Sequence, residues 1–130
     1  MKLDNDKGAA LVELAIILPL LFLIVFGICE FGWAMYVKNT LGNAAREGAR
    51  LAAVTPKPIT AKDQRIVDCV EKRLTFSYGA SDLDITTTPP GATGDPVTVT
   101  VTLKYHSFTQ FIPGLDNTNF VGEATMRYEL

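Results

Sequence analysis

The chain has 130 residues, of which 48% are hydrophobic and 20% charged, and its 12 basic and 14 acidic side chains leave a formal net charge of −2. This length suits one small domain with one anchor, and no basic patch with interleaved aromatic residues points to nucleic acid. The single histidine, His106, has no cysteine or carboxylate cluster beside it in the sequence, and the usual catalytic motifs do not occur. We therefore predict no metal site, no cofactor and no enzymatic activity.

A single carboxylate, Glu13, stands directly before sixteen uncharged residues, from Leu14 to Cys29. An ionised side chain is costly inside a bilayer, so an acidic residue here is by default a functional candidate that needs a partner. An amine would serve. If a peptidase cut the chain after Gly8, the new amino group of Ala9, with an ordinary pKa of about 7.7–8.0, could pair with Glu13.

Residues 9–37 are predicted to form a transmembrane helix. The uncharged stretch alone spans about 24 Å at ~1.5 Å per residue, so flanking residues must extend it to the ~30 Å of a hydrocarbon core. Trp33 and Tyr36 suit the membrane interface. Pro19 lacks an N–H and is expected to kink or locally open the helix. Glu30 is expected near the boundary with its carboxylate reaching water, either as an interfacial charge or as a subunit contact.

Residues 38–54 are predicted to continue this helix as an amphipathic segment. Apolar residues recur there at three- and four-residue spacing among polar ones, which is typical of a helix with one buried face. Small residues stand four apart on that face, at Ala44 and Gly48 and at Ala45 and Ala49, so another backbone can approach closely. Two interpretations are open: the face packs against helices of other subunits, or the protein's own sheet covers it.

Residues 55–130 are predicted to form a small α+β domain. Pro56 and Pro58 end the long helix, because a proline denies the α region to the residue before it. A short amphipathic helix is expected at 61–75, with Asp63 on its polar side.

Beyond this helix the apolar residues alternate with polar ones. Alternation of this kind predicts antiparallel strands at 83–87, 97–105 and 120–130. The connection at 107–119 carries an apolar plug that includes Phe108, Phe111 and Ile112. The predicted fold is α+β: a long N-terminal helix, transmembrane and then amphipathic, packed on a three-stranded antiparallel sheet with one short extra helix.

The first residues resemble the processing site of bacterial prepilins and pseudopilins, with a short hydrophilic leader that ends at Gly8 and Glu13 at the fifth position after it. The residues that follow resemble the TadE-like family, whose members are pseudopilins or minor pilins of the tight-adherence (Tad, Flp pilus) machinery. The elements that carry this resemblance are ELAIILPLL at 13–21, GICEFG at 27–32 and YVKNTLGNAAREGAR at 36–50. The resemblance is close over residues 8–53, and the remainder is pilin-like only in general style.

This resemblance implies that residues 1–8 are a leader removed by a prepilin peptidase, and that the mature chain acts in assembly of a Tad/Flp-type pilus or a related secretion apparatus. The implied partners are that peptidase, other Tad pilins and pseudopilins, the inner-membrane assembly platform and further copies of the chain. The implied location is the bacterial inner membrane, crossed once with the C-terminal domain extracytoplasmic, and extends to the pilus at the cell surface.

The basic residues near the anchor favour the opposite orientation. Lys38, Arg46 and Arg50 outnumber Lys2 and Lys7. We follow the resemblance, because prepilin peptidases act on the cytoplasmic side and the leader must therefore lie there.

A second hypothesis is a single-pass membrane-anchored scaffold or binding protein that is not polymerised. Within the first hypothesis, Glu13 pairs either with the Ala9 amine of a neighbouring subunit or with that of its own subunit, four residues away on one helix. Cys29 and Cys69 lie in different environments, so no intrachain disulfide is expected. Cys69 is either a small buried side chain or the site of an intersubunit disulfide.

Overall fold

The computed structural model describes residues 3–107, 112 and 114–130, with side chains from Lys7 onward. Most of the predicted apolar plug, including Phe108 and Phe111, therefore lies outside the described residues. The same holds for Met1 and Lys2 of the predicted leader.

The described part of the chain forms two helices and one sheet. The elements are α1 (Leu3–Ala53), α2 (Gln64–Glu71), β1 (Leu83–Thr88), β2 (Pro96–Tyr105) and β3 (Thr118–Arg127). The strands are antiparallel throughout and lie in the order β1-β2-β3. The predicted α+β fold, with a long helix, three antiparallel strands and one short extra helix, is confirmed.

Helix α1 packs only along its second half. Its buried face follows the predicted helical spacing: Ala34, Val37, Leu41, Ala44, Ala45, Gly48, Ala49 and Ala52. The helix ends at Ala53, just before Pro56, as the prolines predict. Large apolar side chains from Leu11 to Phe31 remain exposed, and this half of α1 is long and apolar enough to cross a membrane.

The sheet turns its apolar face to α1, because alternate side chains of a strand point to one side. On β2 the buried set is Val97, Val99, Val101, Leu103 and Tyr105. Gly122 of β3 lies opposite Val101 and faces the helix backbone. A Cβ atom on Gly122 would stand 2.4 Å from the carbonyl carbon of Leu41, so a glycine is required for helix and sheet to approach this closely.

Helix α2 is shorter than the predicted 61–75 at both ends: it begins at Gln64, after its N-cap, and ends at Glu71. Asp63 is the N-cap: its carboxylate accepts a hydrogen bond from the backbone N–H of Arg65 and pairs with the Arg65 guanidinium at 2.7 Å. The predicted position of Asp63 on the polar side was wrong, since it is only 7% exposed. An N-cap oxygen must lie against the helix backbone to reach the free N–H groups of the first turn. Ile66 and Val70 carry the buried face of α2.

Two hydroxyl groups tie the sheet to α1 at its two ends. At the end away from the apolar half, Tyr128, just after β3, donates a hydrogen bond to the carbonyl oxygen of Thr55, just after α1, at 3.0 Å. At the other end, Tyr105 donates to the carboxylate of Glu30 at 2.8 Å. The folded domain therefore lies along α1 from Glu30 to Ala53 and begins where the exposed apolar half stops.

Candidate functional site

The predicted processing and assembly residues lie in the exposed half of α1. Gly8, Ala9 and Glu13 are all helical and exposed. A Cβ atom on Gly8 would meet nothing within 4 Å. Within the part of the chain that the structure describes, Glu13 makes no hydrogen bond or ion pair. Ala9 lies one turn before Glu13, about 6 Å along the helix axis, so an amine at Ala9 is within reach of a carboxylate at this position.

Pro19 lies inside α1, which is helical on both sides of it. Because proline has no N–H, the carbonyl group of Ala15 lacks the hydrogen bond that residue i+4 would donate. In a bilayer such a freed carbonyl is tolerated where neighbouring helices or local adjustments satisfy it. The predicted kink or local opening at Pro19 stays a prediction.

Glu30 corrects a sequence-based expectation. We expected its carboxylate to reach water, yet Glu30 is only 2% exposed. Its Oε1 accepts the hydrogen bond of the Tyr105 hydroxyl, and the Tyr105 ring stacks on Phe120 with centroids 4.7 Å apart. The signal was present in the sequence, because Glu30 precedes Ala34 by four residues and so stands on the buried stripe of α1. Its partner, at the far end of β2, could not be read from the sequence.

Substitution of Tyr105 by phenylalanine tests this contact. The ring and its stacking on Phe120 are kept, but a buried carboxylate loses a donor, and we expect the free energy of unfolding to fall by about 1–3 kcal/mol. Tyr128→Phe is the matched control, since its hydroxyl donates to a neutral backbone carbonyl and is expected to be worth about 1 kcal/mol. Urea unfolding of the full chain in detergent micelles measures both. Equal losses would show that the carboxylate of Glu30 adds nothing.

The pKa of Tyr105 gives a second test. Burial, then the hydrogen bond to Glu30 and its negative charge, raise this pKa above the ordinary value of 10.0. The folded protein thus keeps a proton that the unfolded chain releases, so the associated stability is complete below about pH 10 and is lost as the pH rises above it.

We expect the unfolding free energy to fall more steeply above about pH 10 in the native protein than in Tyr105→Phe. The pKa of Tyr78 is also raised, by burial and then by Glu71, but this contribution is common to both proteins. Urea titrations across this pH range provide the comparison. Parallel curves would contradict the assignment.

The small residues of α1 pack against other parts of the same chain. Ala44, Ala45 and Ala49 are fully buried, and Gly48 is buried against α2 and β2. A Cβ atom on Gly48 would stand 2.6 Å from Cγ2 of Val70. Of the two interpretations left open by the sequence, these positions favour coverage by the protein's own elements.

His106 has acidic neighbours that the sequence did not reveal. Asp82 lies 3.3 Å from its Nε2 and Asp116 lies 3.9 Å from its Nδ1. The two carboxylates approach opposite nitrogens and so do not converge on one point. In the described residues no group of three histidine, cysteine or carboxylate side chains is arranged to hold a metal ion. Both cysteines are free, with Cys29 exposed on α1 and Cys69 half-buried.

Comparison with known protein families gives a match over most of α1. The model of the family described as TadE-like protein matches residues 8–50, one third of the chain. This match confirms the predicted resemblance. It begins at Gly8 and ends within the buried stripe of α1, before the first strand. No curated protein and no solved structure is significantly similar to the chain. The match over this third of the chain, together with the apolar helix, is consistent with a membrane-anchored protein associated with the Tad pilus.

Proposed function

We propose that this protein, whose residues 8–50 match the TadE-like family model, is a pseudopilin or minor pilin. A prepilin peptidase removes residues 1–8, and the mature chain acts in the assembly of a Tad/Flp-type pilus or a related secretion apparatus. One observation carries the proposal. The family match begins at Gly8, and Glu13 follows it with an exposed carboxylate, unpaired within the described residues, at the head of an exposed apolar helix.

The electrostatics of this helix support removal of the leader. From Leu11 to Phe31 the large apolar side chains are exposed, so this half must be buried in a bilayer or among other helices. Glu13 is buried with it, and a buried charge is strongly disfavoured unless it is paired. Cleavage after Gly8 creates the required cation at Ala9. We assign Glu13 to the Ala9 amine of a neighbouring subunit, so that docking buries the two opposite charges as a pair.

The same half of α1 is the proposed contact between subunits. The small-residue face at Ala44 and Ala49 is already buried within the chain's own fold, which leaves the exposed apolar half for other helices. The free carbonyl at Ala15, created by Pro19, allows the helix to adjust there when neighbours pack against it. The proposed partners are other Tad pilins and pseudopilins, the inner-membrane assembly platform and, before docking, the prepilin peptidase.

Cys29 provides a direct test of this contact because it is exposed on the apolar half of α1. A bismaleimide crosslinker applied to membranes of piliated cells is expected to join Cys29 to the Cys29 of a neighbouring copy of the chain, and the crosslink should persist in Cys69→Ser. Loss of the crosslinked product in Cys69→Ser, with retention in Cys29→Ser, would move the contact to the sheet domain and contradict the assignment.

The proposed location is the bacterial inner membrane, with the folded domain on the extracytoplasmic side. Protease added to intact spheroplasts is expected to digest this domain. Protection of the domain until the membrane is lysed would reverse the topology, in line with the distribution of basic residues.

Deletion of the gene tests the function itself. We expect piliation to be lost and to return when the full chain is supplied. Normal piliation in the deletion strain, together with native protein found only in the membrane fraction of the parent strain, would support the alternative of an anchored scaffold that takes no part in polymerisation.

A further inference from the structure

Four aromatic rings form a continuous cluster where the folded domain meets the apolar half of α1. Trp33 and Tyr36 lie on the helix, with ring centroids 5.3 Å apart. Phe76 packs edge-on against Tyr36 at 6.5 Å, and Tyr78 packs against Phe76 at 6.2 Å. The hydroxyl groups of Tyr36 and Thr75 share a hydrogen bond, which ties the segment after α2 to the helix. We call these four rings the aromatic cluster.

The level of this cluster follows from helix geometry. The exposed apolar run from Leu11 to Phe31 is about 31 Å long at ~1.5 Å per residue, which matches a hydrocarbon core of ~30 Å. Trp33 and Tyr36 follow at about 3 and 8 Å beyond Phe31. The headgroup layer on each side of a bilayer is roughly 5–7 Å thick. Trp33 therefore stands within this layer and Tyr36 at its outer edge, where Phe76 contacts the Tyr36 ring.

The cluster is open to its surroundings and has the chemistry of an interfacial belt. Tyr36 is 43% exposed, and Trp33, Phe76 and Tyr78 are each half-buried. Indole and phenol rings combine an apolar body with a polar edge, which suits the boundary between hydrocarbon and water. Lys38, exposed two residues beyond Tyr36, adds a cation that can reach lipid phosphates.

No flexible linker separates the apolar half of α1 from the folded domain. Glu30, at the last turn of the apolar run, is already hydrogen-bonded to Tyr105 of the sheet. Since α1 continues unbroken from the apolar half into the domain, the segment at 74–79 is carried to the membrane surface with it.

We propose that the aromatic cluster docks on the lipid headgroup layer, through Phe76 and Tyr78 of the sheet domain as well as through the helix, so that the domain lies directly against the bilayer. This inference rests on the membrane anchor of the proposed function. The occupant of the surface is the bilayer that surrounds the adjoining helix, because the cluster is continuous with the exposed apolar run.

Trp33 is the single tryptophan of the chain, so the position of a new one can be read by fluorescence. In a Trp33→Phe background, Phe76→Trp is reconstituted as the full chain in phosphatidylcholine vesicles that carry a spin label near the top of the acyl chain. Val54→Trp is the control at the far end of α1, where Val54 is 47% exposed. Phe22→Trp, in the same Trp33→Phe background, reports on the anchor in vesicles whose spin label lies near the end of the acyl chain.

We expect Phe76→Trp to lose most of its emission to the shallow label, Phe22→Trp to lose most of its emission to the deep label, and Val54→Trp to be quenched by neither. An unquenched Phe76→Trp beside a quenched Phe22→Trp would overturn the docking while the anchor stands. Equal quenching of Phe76→Trp and Val54→Trp would also overturn it. An unquenched Phe22→Trp would remove the anchor, and with it both the docking and the proposed function.

Discussion

Replacement of Glu13 by alanine is expected to abolish entry of the protein into pili while leaving removal of residues 1–8 intact. The carboxylate lies four residues after Ala9 on the exposed half of α1 and has no partner within the described chain. If it neutralises the Ala9 amine of a neighbouring subunit, its loss leaves that amine unpaired in an apolar contact. Breaking a buried ion pair from one side costs about 3–5 kcal/mol, which is a hundredfold or more in the contact's equilibrium constant.

The measurement is the amount of protein in sheared pili relative to membranes. The intact mass of the recovered chain shows whether residues 1–8 have been removed. Glu123→Ala is the control, because Glu123 is an exposed carboxylate on β3, outside the proposed contact. Glu13→Gln, which keeps the shape and removes the charge, should fail as Glu13→Ala does. Normal piliation in Glu13→Ala would refute the intersubunit pair and would leave pairing within one subunit as the remaining role.

Substitution of Gly122 by alanine is expected to have the largest effect on the fold. The added methyl group would stand 2.4 and 2.5 Å from the carbonyl carbon and oxygen of Leu41 and 2.7 Å from the backbone nitrogen of Gly42. These are backbone atoms of a helix, so the clash cannot be relieved by rotating a side chain. Strand β3 must instead move away from α1. Overpacking of this kind costs about 1–3 kcal/mol and sometimes more. We expect the lowest urea midpoint of the single substitutions considered.

Gly42→Ala is the matched control on the facing helix. A Cβ atom there would meet nothing within 4 Å, and alanine in a helix interior is favoured over glycine by about 0.5–1 kcal/mol. The two substitutions add the same methyl group, so they should move the unfolding midpoint in opposite directions. A Gly122→Ala protein as stable as the native one would show that helix and sheet are not in this close contact.

The elements could be predicted because their signals are local. The three-four spacing from Val37 to Ala52 indicates a helix with one buried face, and the alternation from Val97 to Tyr105 indicates a strand. Together they predict a helix that covers a sheet, as observed. The predicted bounds of α2 were too wide at both ends, because an apolar stripe does not show where the capping residues Asp63 and Lys72 stand.

The long-range contacts could not be predicted. The stripe position of Glu30 indicated burial, but its partner Tyr105 lies 75 residues away, and no local pattern joins the two. Gly122 reads as one more residue of an alternating strand until the helix backbone is seen opposite it. The carboxylates on either side of His106 come from the residue before β1 and from the segment before β3, which only the fold brings together.

The proposed site has a different limit. Gly8, Ala9 and Glu13 were singled out by their order in the sequence, and the structure leaves them exposed on a helix with no partner in the described chain. Their chemistry requires a peptidase and a second molecule. The small residues Ala44 and Gly48 show the converse, since their spacing suited a subunit interface equally well and the fold uses them internally.

The intact mass of the protein purified from its native cells tests leader removal most directly, since the cation for Glu13 exists only after cleavage. We expect a chain that begins at Ala9 and lacks the residues from Met1 to Gly8. A mature membrane protein that still carries these residues would leave Glu13 without its amine and would contradict the proposed pairing and the pseudopilin function together.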